Sequence, residues 1–101
     1  MKFTITTKES LINVLRQAGY RVDHHDISTK QDSFIRRLRS APYPRFHIYG
    51  EKRDNMLILN IHLDQKKPSY EGSHAHSGEY DGELVEGEVK RIRSLDLSIR
   101  H

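Results

Sequence analysis

MLILNIHLD (56–64) decides how this chain is read. Leu57, Leu59, Ile61 and Leu63 recur at every second position, with Asn60, His62 and Asp64 between them. A period of two is that of a β-strand with one face on a core. Upstream, RFHIYGE (45–51) alternates in the same way, and KRDN (52–55) supplies turn residues between the two. The pair predicts a hairpin with Arg53 and Asp54 at its turn, Ile48 opposite Leu59, and Phe46 opposite Ile61. Phe46, Ile48, Leu57, Leu59, Ile61 and Leu63 then face the core. Arg45, His47, Tyr49, Ile58, Asn60, His62 and Asp64 share the other, uncovered face.

Outward from the hairpin, SFIRRLR (33–39) is β-branched and aromatic enough for a third strand, joined through the proline-rich SAPYP (40–44). Thr6-x-x-Glu9 has the pattern of a capping box. Leu11, Ile12, Leu15 and Ala18 follow at helical spacing and Gly19 is a natural stop, so a helix is expected from about Thr7 to Ala18. Residues 20–32 are polar and suit a short strand followed by a loop. In GELVEGEVKRIRSL (82–95), Val85, Val89, Ile92 and Leu95 form one helical stripe, with acids early and bases late as the helix dipole favours. Residues 65–82 show no period, and long segments of that kind are often functional. The expected fold is a single α+β domain over residues 1–101, ordered α-β-β-β-α. Its three-stranded antiparallel sheet carries two helices on one face. Double-stranded-RNA-binding domains and HicA-type toxins share that outline.

The composition narrows the function classes. Hydrophobic residues make up 35% and charged residues 31% of 101 positions, which suits a small core under a wide polar surface. No apolar run approaches the length of a membrane span, and the first residues, MKFTITTKES, lack a signal-peptide core, so a cytoplasmic protein is expected. With no cysteine, disulfides and thiolate metal sites are excluded. Charge is unevenly placed. Residues 1–53 hold 11 basic against 5 acidic residues, net +6, and residues 54–101 hold 6 against 9, net −3. The basic excess is densest around Arg36, Arg37, Arg39 and Arg45, where phosphate would be attracted.

GSHAHSGEYDG (72–82) concentrates titratable groups in the segment that leaves the hairpin after Asp64. Folded back, it would complete a site begun on the uncovered face. One reading is a nucleic-acid or phosphate module, with RNA or DNA as partner. Arg36, Arg37, Arg45, His47, Tyr49, Asn60, His62, Lys66, Lys67 and Tyr70 would bind, and His47, His62, His74 and His76 are the candidates for acid–base catalysis. This reading leads, with or without hydrolysis. The alternative is a divalent transition metal held by His62, Asp64, His74 and His76, since each His-x-Asp or His-x-His pair puts two ligands on one side of an extended chain. The third is an adaptor that docks a protein partner without catalysis. His24 and His25 read as surface residues.

Two resemblances bear on these readings. Gly72-Ser73-His74-Ala75-His76 resembles the GSH-type segment of HicA toxins, but it follows the third strand here, whereas in that family it lies early in the sheet. YPRFHIYG together with NIHLDQKKPSYEGSHAHSGEYDGELVE resembles a family of small, functionally uncharacterised bacterial proteins. That likeness implies a bacterial, cytoplasmic setting and no functional residues.

Overall fold

The computed structural model describes residues 1–28, 31–65, 78–79 and 82–98. Its elements are β1 (Lys2–Thr6), α1 (Leu11–Gln17), β2 (Arg21–Asp26), β3 (Gln31–Arg37), β4 (Arg45–Arg53), β5 (Met56–Asp64), β6 (Gly78–Glu79) and α2 (Glu83–Ser98). The main strands lie in the order β1-β5-β4-β3-β2, every pairing antiparallel, and the two-residue β6 pairs with the end of β5. The three-stranded expectation is therefore corrected to a five-stranded sheet with a short appended strand, while the α+β class stands. Among the described residues no helix is long and apolar enough to cross a membrane.

The two strands left out of the expected three-stranded sheet sit at its edges, and β2 lies where residues 20–32 suit a short strand. In β1 only Phe3 and Ile5 reach the core, and the alternation is too short to stand out from the helix signals that follow. Those signals were displaced. Ser10 caps α1, its hydroxyl accepting from Asn13 N at 3.1 Å, while Thr7 Oγ1 accepts from Glu9 N in a local turn. The helix thus starts at Leu11 and not near Thr7, which frees residues 2–6 to pair with β5. Strand β2 reads as polar because its residues 21–25 are all exposed at the edge.

The hairpin forms, in a different register. Arg53 pairs with Met56 across a two-residue turn, Asp54-Asn55, with Asp54 at φ 56°. A short polar side chain tolerates that left-handed conformation. Ile48 consequently faces Ile61 and Phe46 faces Leu63. The slip from the expected pairing is two residues, so each side chain keeps its face.

One core fills the space between the sheet and both helices. Phe3, Ile5, Phe34, Phe46, Ile48, Leu57, Leu59, Ile61 and Leu63 meet Leu11, Val14 and Leu15 of α1 and Val85, Val89 and Ile92 of α2. Gly50 lets α1 approach β4 closely. A Cβ there would stand 2.6 Å from Leu59 Cδ2 and 3.1 Å from Leu11 Cδ1. Gly19, at φ 95°, ends α1 as the spacing anticipates, with Gly19 N donating to Arg16 O and Tyr20 N to Leu15 O.

A buried charge cluster fastens α2. The Glu88 carboxylate, 4% exposed as a residue, accepts from Tyr20 Oη at 2.7 Å, from Arg36 at 3.0 and 3.1 Å, and from Arg91 at 2.9 Å through two nitrogens. Arg91 also donates to Ala18 O near the end of α1. One carboxylate thereby joins α2, β3 and the turn after α1. Burial pushes the Glu88 carboxyl up, but the hydrogen bonds from Arg91, Arg36 and Tyr20 outweigh it and hold the group below its ordinary range.

Candidate metal centre

The far face of the sheet is built by alternation and register. His47 stands opposite His62, Arg45 opposite Asp64, and Tyr49 opposite Asn60. Strand β3 continues the same rows, with Ile35 beside His47 and Ser33 beside Tyr49. Direct cross-strand neighbours share a face, so all of these point away from the helices. The face is less open than the sequence reading holds. His47 is buried, as are Ser33 and Ile35; His62 and Asp64 are half-buried, and Tyr49 and Asn60 are exposed. Part of the cover is aromatic. The His47 ring stacks on Tyr49 with centroids 4.5 Å apart and tilts against His62 at 5.0 Å.

Asp64 is the hub. Its Oδ1 lies 2.8 Å from His62 Nε2, and its Oδ2 lies 3.4 Å from His47 Nδ1 and accepts from Arg45 Nε at 3.3 Å. The Arg45 guanidinium also lies over the Tyr43 ring, 4.7 Å from its centroid. One ligand atom from each of His47, His62 and Asp64 falls within 4.8 Å of the others. On the side away from Asp64, His47 Nε2 is buried without a hydrogen-bond partner among the described residues, and Asp23 Oδ2 is 3.9 Å from it.

Burial lowers the His47 pKa below its ordinary value; nearby His62 and Arg45 act in the same sense, against Asp64 and Asp23. The unfolded chain therefore takes up this proton first as pH falls. Stability conferred by neutral His47 is complete above about pH 6.5 and declines as pH drops through the lower folded value. Urea midpoints should accordingly decrease between pH 7.5 and 5, and His47→Gln should remove that part of the decrease. Identical wild-type and variant pH profiles would refute it.

The residues singled out from sequence meet different fates. His47, Tyr49, Asn60, His62, Asp64 and Arg45 do gather on one face. Arg36 lies on the helix-covered side, engaged by Glu88. Arg37 is exposed and stands opposite Arg45. Lys66, Lys67, Tyr70, His74 and His76 lie outside the described residues, as does most of the 65–82 segment; Gly78 and Glu79 within it form β6. His24 and His25 are exposed, and His25 pairs with Asp32. Sequence reasoning omitted His47 from the metal set because it took ligands in His-x-Asp and His-x-His pairs along the chain; the observed register sets His47 directly against His62 on the neighbouring strand. Asp23 was missed altogether.

No family model, curated protein or solved structure matches the chain. The resemblance to small bacterial proteins gains no support from these comparisons.

Proposed function

We propose that this chain is a metal-binding protein that holds a divalent transition metal between His47, His62 and Asp64. The observation that carries this is the convergence of two imidazoles and one carboxylate, with ligand atoms within 4.8 Å, on adjacent rigid strands. Zinc binds imidazole nitrogen at about 2.0–2.1 Å, so a modest contraction of the cluster suffices. Imidazole and carboxylate together suit zinc, iron or nickel. Three protein ligands leave at least one position for water or a substrate, which is the pattern of catalytic metal sites. The lack of cysteine fits a reducing compartment, and we place the protein in the cytoplasm.

Zn2+ titration by calorimetry, with Co2+ absorption as a second readout, tests the reading. Wild-type protein should bind one equivalent, and His47→Ala and His62→Ala should each weaken binding at least about tenfold, as losing a first ligand costs no less than losing its outer partner. Absence of both binding heat and Co2+ d–d bands for the wild type would reject it.

A phosphate or nucleic-acid ligand remains the second reading, supported by Arg37 and Arg45 standing opposite each other beside the site. It yields first place because Arg36 is engaged on the other face and Arg45 by Asp64. RNA binding that weakens steeply with salt, with a flatter slope for Arg37→Ala, would restore it.

A further inference from the structure

Strand β2 pairs regularly with β3 at Arg21–Ile35 and Val22–Phe34, and then slips, so that His24 and not Asp23 stands opposite Ser33. Asp23 is the extra residue of a β-bulge. Bulges oppose two residues to one and re-aim the side chains they carry. A regular strand would set Asp23 beside Ser33 in the row that leads to Tyr49. The bulge instead brings its carboxylate over β3 toward His47, in the next strand but one, with Oδ2 3.9 Å from Nε2.

His47 supplies the complementary observation. Its Nδ1 faces Asp64, so Nδ1 is the nitrogen offered to a metal at the hub. A neutral imidazole that ligates through Nδ1 carries its proton on Nε2. That nitrogen is buried and has no hydrogen-bond partner among the described residues. A buried N–H without an acceptor is costly. Ligating histidines characteristically give their second N–H to a carboxylate, which sets the tautomer and the ring orientation.

We infer that Asp23 is a positioning residue of this site, accepting the Nε2–H of His47 and so holding Nδ1 ready for the metal; this rests on the metal reading above. The distance is about 1 Å beyond a hydrogen bond. The Asp23 side chain is 39% exposed, and rotation of its carboxylate toward the ring closes the gap. The bulge is then a functional feature of the edge strand, carrying a carboxylate across one intervening strand to a ring it could not otherwise reach.

Two measurements on the full chain test this. Long-range proton–nitrogen NMR of the metal-free protein reports the His47 tautomer directly. With Asp64 competing for the proton at Nδ1, wild type and Asp23→Asn, which keeps an acceptor oxygen, should both populate the Nε2–H form, and Asp23→Ala should shift toward the Nδ1–H form. Zn2+ titration should give about 10–100-fold weaker binding for Asp23→Ala, substantial recovery for Asp23→Asn, and no change for His24→Ala, the neighbouring control. An Nδ1–H form in the wild type overturns the inference, as does an Asp23→Ala variant with unaltered tautomer and affinity. If the tautomers behave as expected but Zn2+ fails to bind the wild type, the metal reading falls while the Asp23–His47 bond stands.

Discussion

Replacing Glu88 with alanine is expected to destabilise the protein by about 3 kcal/mol, the lower end of the range for breaking a buried ion pair by removing one partner. The change leaves two guanidinium groups and a phenol facing an emptied space. Arg36 and Arg91 retain some contact with water, their side chains being 27% and 39% exposed, which keeps the loss from the upper end. Tyr20 has no such relief, being only 3% exposed. Urea denaturation of wild type and variant measures the effect, and a loss under about 1 kcal/mol would mean that the cluster merely breaks even. The pH dependence has a definite sign. The Glu88 carboxyl is held below its ordinary range, so its contribution is present above about pH 4.3 and disappears as pH falls through the lower folded value. The Tyr20 phenol is pushed far up, chiefly by burial and then by Glu88, so its contribution is present below about pH 10 and is lost above it. Between those limits the cluster should be indifferent to pH.

The second large effect is at Ile61. It is fully buried between Ile48 and the rest of the core, and Ile61→Ala should cost about 2–5 kcal/mol through lost burial and the cavity left behind. The adjacent residue should behave otherwise. His62 points to the far face and is half-buried, so His62→Ala should cost far less stability while weakening metal binding. Parallel urea melts decide the matter. Equal losses for the two variants would assign His62 a structural role and weaken the case for a site on that face.

These contrasts show which features the sequence discloses. The faces of β4 and β5 are written in their alternation, and the stripe Val85, Val89, Ile92 identifies the buried side of α2, because both patterns repeat with the geometry of their own backbone. Register is less visible. Slips by two leave every face unchanged, yet they decide whether His47 meets Asn60 or His62. Edge strands are less visible still, since β1 has two core residues and β2 is exposed along its described side chains. Glu88 looked like any acid near a helix start, because Arg36 and Tyr20 lie 52 and 68 positions away in the chain. Asp23 depended on a bulge, which no residue type announces.

The order of the strands also governs how the chain can be assembled during synthesis. Strands β3, β4 and β5 each pair with the one before, so these three pairings can form soon after their second member is made. Strand β1 is different. Thr6 pairs with Met56 and Lys2 with Asn60, separations of 50 and 58 positions. It leaves the ribosome before any residue it will join, and must wait while the intervening strands emerge. A waiting strand rich in apolar residues would invite aggregation. In β1, Phe3 and Ile5 are interleaved with Lys2, Thr4 and Thr6, and that sparse pattern makes the wait safer.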